Sequence, residues 1–218
     1  TYDYLVDQTT RNFAVFLQSD CDLTENLSLL SGLRVDDHSF LNSLVFAPRF
    51  SLMYKIGKGL QFRGSYSTGF RAPQAFDSDL HIAFAGGGIT SIVLDENLKE
   101  ERSKSYSTSI NYDKVSDNYI FGFTLEGFYT ALEGSFYQSP LESNEFGEVF
   151  VKRNGSTAVV KGLTLELRAN LFKRLQVESS FTLQTSLFHD PVVYSDDLYP
   201  VREFLRTPNR YAYAVVSY

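Results

Sequence analysis

The 218-residue chain has no tryptophan, one methionine and one cysteine. A lone cysteine excludes both a disulfide framework and a thiolate metal site. No apolar run exceeds six residues, Tyr211 to Val216, so the sequence encodes no transmembrane helix. The opening Thr1-Tyr2-Asp3-Tyr4 carries no basic-then-apolar leader. Basic side chains are also in deficit, 20 against 26 acidic ones, for a formal net charge of −6. That balance argues against nucleic acid as a partner, because phosphate recognition needs clustered cations. What the chain does have is aromatic residues: 19 Phe and 14 Tyr, 15% of the sequence. That excess, in a chain with 43% apolar residues, favours strands over disorder.

The hydrophobic pattern has period two almost throughout, as expected of strands with two unlike faces. Nine segments follow it: 11–23, 27–36, 45–56, 60–70, 101–112, 119–132, 148–172, 175–188 and 207–218. The connections alternate between short and long without exception. Short ones fall at 24–26, 57–59, 113–118 and 173–174, long ones at 37–44, 71–100, 133–147 and 189–206. In an up-and-down antiparallel sheet every second connection lies at the same end. One end therefore carries tight turns and the other large loops, the asymmetry of outer-membrane barrels. A soluble sandwich with one wet face is the competing reading, but strands this long exceed the usual five or six residues.

Folding 45–56 onto 60–70 about Lys58 pairs Tyr54 with Phe62, Leu52 with Gly64 and Phe50 with Tyr66 on one face. The other face pairs Met53 with Arg63, Ser51 with Ser65 and Arg49 with Ser67. One face is apolar for roughly ten residues, enough for a tilted strand to cross a bilayer. The other is polar and mostly small. Pro48 is a misfit, since proline cannot donate to a ladder. The segment 148–172 is long enough to protrude past a membrane or to break near Asn154-Gly155. The fold class is thus all-β: a transmembrane antiparallel up-and-down β-barrel, present in part.

The segment Tyr66-Ser67-Thr68-Gly69-Phe70-Arg71-Ala72-Pro73 resembles the Y-x-x-G-F-R-A-P motif of TonB-dependent outer-membrane receptors. Asn97-Leu98-Lys99-Glu100-Glu101 is similar to their N-L-K-P-E loop end, and Asn154-Gly155 through Leu167 to their N-x-G…G-x-E-x-E strand. Arg206-Thr207-Pro208 resembles the R-x-P opening of a late strand. Thr164 departs from the Val or Ile usual before the glutamate, a strand-compatible change. Residues 74–82 look most like receptors of Bacteroidetes-type bacteria, some of them similar to cobalamin receptors.

The resemblance implies a 22-stranded barrel with a plugged lumen in the bacterial outer membrane. It further implies capture of a scarce, large solute (iron-siderophore, haem, cobalamin or similar) at extracellular loops, and import energised by the TonB complex acting on the plug. Outer-membrane lipid and a surface lipoprotein join the implied partners. Residues 1–218 would form part of one β-barrel domain of about nine strands, the plug domain and remaining strands lying outside it. Nine strands with two open edges cannot stand alone in lipid.

The candidate site residues follow from this placement. Phe76, Asp77, His81, Phe84 and Tyr199 lie in long connections, where aromatic rings can stack on a flat ligand. Arg49, Arg63 and Arg71, with Arg34, fall on or near the polar face. They are expected to meet the plug, an anionic ligand, or Glu126, Glu166 or Glu178. His38, His81 and His189 all sit in or beside long connections with acidic neighbours, but no two share a metal-ligand spacing. Acidic pairs such as Asp36-Asp37 lack a full cation loop. Gly86-Gly87-Gly88 is followed by no Lys-Ser/Thr and is not a phosphate loop. No nucleophile elbow occurs. The expectation is therefore a receptor with no metal site, no cofactor and no catalytic residues. A passive porin, an outer-membrane adhesion or assembly protein, and a soluble carbohydrate-binding β protein are the rival readings.

Overall fold

The computed structural model describes residues 9–73, 91–141, 149–193, 199–204 and 207–218. Among these, every regular element is a strand. The long ones are β1 (Asn12–Thr24), β2 (Leu27–His38), β3 (Val45–Gly57) and β4 (Leu60–Arg71), then β6 (Glu101–Val115), β7 (Tyr119–Glu133), β10 (Ala158–Leu171) and β11 (Leu175–Val192). Short strands are β5 (Ser91–Leu94), β8 (Phe136–Pro140), β9 (Val149–Asn154) and β12 (Val201–Glu203), and β13 (Arg210–Ser217) completes the chain order.

The main sheet is antiparallel, ordered β1-β2-β3-β4-β6-β7-β10-β11, with β12 and β13 both pairing along β11. It does not close on itself among the described residues. A second sheet, ordered β5-β9-β8, is built from the long connections, with β5 and β9 parallel. Thus the 148–172 segment does break: β9 leaves for the small sheet, and β10 resumes in the main one. Sequence periodicity alone did not resolve β5 and β8, because four- and five-residue strands inside long loops carry too few alternations.

From Arg49 to Lys55 the register of β3 on β4 is the one the sequence dictates, and it shifts by one residue at the turn, where Gly57 pairs with Leu60. Arg49, Ser51 and Met53 face Ser67, Ser65 and Arg63, and Phe50 faces Tyr66. Alternation then sorts the faces. Tyr54, Phe62, Ile110, Leu125, Leu165 and Phe181 form one continuous apolar row across six strands. On β6 the charges of that face are Arg102 and Lys104 toward the long connections and Lys114 toward the short turns, and Lys104 and Lys114 lie ten residues apart. That is roughly 33 Å along a strand, or about 25 Å of height at a tilt near 40°. Two aromatic belts lie inside these limits: Tyr66, Tyr106 and Tyr129 near the long connections, and Tyr112 with Phe123 near the short ones.

Little of the sheet is covered. Leu17 is 78% exposed and Leu163 57%, and both lie on the apolar face. The buried apolar cluster of Ala158, Phe188 and Val192 sits instead at the long-connection end, with Phe188 stacked on Phe204 at 4.3 Å. Tight turns close the opposite end. Phe172 and Lys173 both have positive φ, 54° and 58°, as the central residues of a type I′ turn require.

Two departures from a perfect ladder matter. Pairing of β3 with β4 runs only from Arg49 to Gly57, although β3 begins at Val45 and β4 continues to Arg71. Pro48 has no N–H to give, so it ends that ladder, and Thr68 Oγ1 beside the break is buried with no hydrogen-bond partner among the described residues. Above Arg49 the wall parts into a β1–β2–β3 leaf and a β4–β6–β7 leaf. Elsewhere strands and side chains approach closely. A Cβ on Gly162 would collide with the carbonyl oxygen of Leu183 and sit 2.7 Å from Phe128 Cζ. A Cβ on Gly57 would meet nothing within 4 Å. Gly162→Val is expected to destabilise the barrel by about 1–3 kcal/mol, and Gly57→Ala to leave it within about 0.5 kcal/mol. Thermal unfolding of the two variants of the full-length protein checks the contrast.

Candidate functional site

The polar face is the side that carries the chemistry. Its middle is a wall of hydroxyls joined across strands. Ser65 Oγ and Ser107 Oγ lie 2.7 Å apart, Ser105 Oγ and Thr130 Oγ1 3.0 Å, and Thr164 and Thr182 hydroxyls 3.0 Å. Period-two alternation places every serine of β6, from Ser103 to Ser109, on this face.

The charged residues of this face fall into distinct groups. Toward the long connections, Asp36 is fully buried and accepts two bonds from Arg34, Nε at 2.8 Å and Nη2 at 2.7 Å. Asn12 Nδ2 donates a third at 3.1 Å. Such bidentate geometry compensates the burial of the carboxylate. Beside it, His38 is buried, its Nδ1 accepting the Phe40 N–H at 3.2 Å and its ring edge-on to Phe70. Toward the short turns, Arg168 donates to Thr124 Oγ1 at 2.9 Å and Asn111 Oδ1 at 2.7 Å, with Asp113 at 3.3 Å and Glu166 at 3.6 Å.

The arginines divide on their partners. Arg34 pairs with Asp36, and Arg71 pairs with Glu101 at 3.3 Å. Glu126, Glu166 and Glu178 are not their partners, since Glu166 serves Arg168 instead. Arg49 and Arg63 are exposed and meet no carboxylate among the described residues. Arg63 Nη2 donates to the Met53 sulfur at 3.8 Å. Two cavities, about 490 and about 430 Å³, flank the parted wall and share Arg34, Ala47 and Thr68 as lining. Arg71 borders the first and Arg49 the second.

Arg71 also anchors the small sheet. Its guanidinium lies 4.7 Å from the Phe136 ring centroid, and Lys152 Nζ, on a side chain 1% exposed, lies 5.1 Å from it. Glu101 Oε2 accepts the Phe136 N–H at 2.9 Å. Asn154 adds three bonds, accepting from Lys99 N and donating to the carbonyls of Lys99 and Gly134. At the start of β6, burial pushes the Glu100 carboxyl up, but bonds from Arg102 and the attraction of Arg102 and Lys99 leave it below the usual carboxylate range. The stabilisation this lends is complete above the ordinary glutamate pKa and is lost as pH falls through the depressed value.

Of the loop residues expected to hold ligand, Phe76, Asp77, His81 and Phe84 lie outside the described residues. Tyr199 is 91% exposed at the long-connection end. His189 is exposed beside Asp190. Among the described residues no three His, Cys, Asp or Glu side chains are grouped to hold a metal ion. The Arg168 network and the Phe136 clamp escaped the sequence reading. The first was within reach, because the cross-strand register puts Asp113, Gly122 and Arg168 in one row. The second depends on β8 and β9 crossing between loops.

The model of the TonB dependent receptor-like β-barrel matches residues 2–218. The chain belongs to this family. Solved receptors share the receptor barrel's fold at low identity. The siderophore receptor PirA from Pseudomonas aeruginosa is 21% identical, with a TM-score of 0.61, over 81% of this chain and 32% of its own. The pyoverdine outer membrane receptor FpvA from Pseudomonas aeruginosa PAO1 is 17% identical, with a TM-score of 0.63, over 95% and 28%. The alcaligin outer membrane receptor FauA from Bordetella pertussis is 20% identical, with a TM-score of 0.57, over 94% and 34%. The receptor barrel here therefore spans about a third or less of those chains. Among curated protein sequences none matches.

Glu101→Ala removes the acceptor shared by Arg71 and the Phe136 N–H. It is expected to cost about 1–3 kcal/mol locally and to speed amide exchange across residues 136–140. Hydrogen exchange of the full-length receptor measures this.

Proposed function

We propose that this chain is the wall of an outer-membrane receptor that captures a scarce, large solute at its long connections and imports it with TonB-derived energy. The observation that carries the reading is the family match over residues 2–218. The largely apolar outer face and the sorting of long connections to one end support it. The siderophore receptors among its structural neighbours favour an iron-siderophore over haem or cobalamin as the solute. Coupling to TonB would pass through a plug domain. A surface lipoprotein capping the loops is compatible with the same architecture.

Residue roles follow from position. Phe76, Asp77, His81, Phe84 and Tyr199 form the capture surface, aromatics stacking on the ligand. Arg49 and Arg63, exposed on the polar face without a carboxylate partner, offer bidentate donors to the plug or to a passing anion. Arg71 does so less freely, held by Glu101 and Phe136. A passive porin would need an open lumen, and single-channel conductance of the full protein separates the two: a plugged receptor conducts little. Which solute is imported, cobalamin as in the similar receptors of Bacteroidetes-type bacteria included, is tested by growth of a deletion strain on each nutrient.

Replacing His81 and Phe84 together by alanine is expected to lower ligand affinity about tenfold or more, as loss of a stacked aromatic does at a hot spot. Binding and uptake by the full receptor measure it, and unchanged values would remove both residues from the site. Arg49→Ala with Arg63→Ala is expected to slow uptake while surface binding persists.

A further inference from the structure

A third cavity, about 1020 Å³ and larger than the two beside the parted wall, takes no part in the chemistry of the polar face. Ten of its sixteen lining residues project from the apolar face, in two neighbouring rows. The floor is Gly64, Thr108 and Gly127, facing one another on β4, β6 and β7. The row above it, toward the long connections, is Tyr106, Tyr129 and Lys161. Small residues below large rings make a groove. Gly127 leaves room for one, since its missing Cβ would stand 3.4 Å from Leu163 Cδ2 and 3.8 Å from Thr108 Cγ2.

Lys161 is the anomaly. It is exposed, level with the tyrosine belt, inside the height that Lys104 and Lys114 delimit on β6. Its cross-strand neighbours are Tyr129 and Thr185, and Val159 and Leu163 flank it on the same face. None is acidic. Glu133, the acid nearest along β7, is bonded to Lys104. A cation with no acidic partner among the described residues, on a largely apolar face, calls for an anion brought by the hydrocarbon phase itself.

We propose that this groove binds one anionic membrane lipid, an acyl chain lying over Gly64, Thr108 and Gly127 and the headgroup phosphate on Lys161. Arg210, at the far end of the floor row on β13, is the second cation of the groove. The tyrosine rings fit the boundary between the two parts of such a molecule, presenting apolar bodies to the chain and hydroxyls to the headgroup. The proposal rests on the outer-membrane reading above.

Native mass spectrometry of the full-length receptor, given phosphatidylglycerol or phosphatidylcholine with the same acyl chains, tests it. The unmodified receptor is expected to retain the anionic lipid about fivefold better, the effect of one basic residue near an anionic headgroup. Lys161→Gln should bring the ratio near one, and Lys161→Arg should restore it. Gly127→Leu, which fills the floor, should lower retention of both lipids. An unchanged ratio in Lys161→Gln, full retention in Gly127→Leu, or a receptor dimer in place of the lipid adduct would overturn the assignment. Cell fractionation keeps the two readings apart. A receptor in the outer membrane without lipid preference defeats this inference alone, whereas one absent from that membrane defeats the reading beneath it.

Discussion

The backbone ladder is what this structure depends on. A ten-stranded sheet whose side chains are largely exposed on both faces has no ordinary core to hold it. Its continuity comes from amide-to-carbonyl bonds repeated along strands of 12 to 18 residues. In water such a sheet would be marginal, because apolar burial normally supplies most of the stability. In hydrocarbon the balance reverses. There an unpaired backbone group costs several kcal/mol, so the ladder is the one arrangement in which long extended segments persist. The edges at β1 and β13 call for the neighbouring strands of the complete barrel.

Given the ladder, alternation does the rest. Parity sets which side a residue faces, and most serines and arginines of the long strands occupy one side and most phenylalanines and leucines the other. The same rule explains the sites of charge. Buried carboxylates such as Asp36 survive because Arg34 and Asn12 surround them, whereas Arg49 and Arg63 remain available on the polar side. The receptor family's working surface and its structural surface are thus two faces of one set of strands.

Most of the main sheet was legible in the sequence, and for a physical reason: two solvents impose a period-two signal over many residues. The register of β3 on β4 could be written from Lys58 outward because only one pairing keeps both faces consistent. Legibility failed where that constraint lapses. In β13, Tyr211 and Tyr213 fall on the polar face, opposite Thr182 and Ser180, so aromaticity there does not mark the apolar side. β5, β8 and β9 lie among the long connections, where no bilayer imposes parity, and the parallel pairing of β5 with β9 joins segments far apart in sequence. The partners of the arginines were misjudged for a similar reason. Arg168 was an unremarked strand residue, yet it takes Glu166 and Asp113, leaving the named arginines to others.

The parted wall above Arg49 has a mechanical meaning. A closed ring of paired strands is nearly inextensible, since its circumference is fixed by the number of strands and their spacing. Where β3 and β4 diverge, no ladder pairs the two leaves, which meet there through the His38 and Phe70 rings. The rim can widen or narrow at that point by bending the leaves, without breaking a hydrogen bond. Pro48 therefore gives an otherwise rigid collar one compliant joint, placed at its outer lip beside both cavities rather than at its waist.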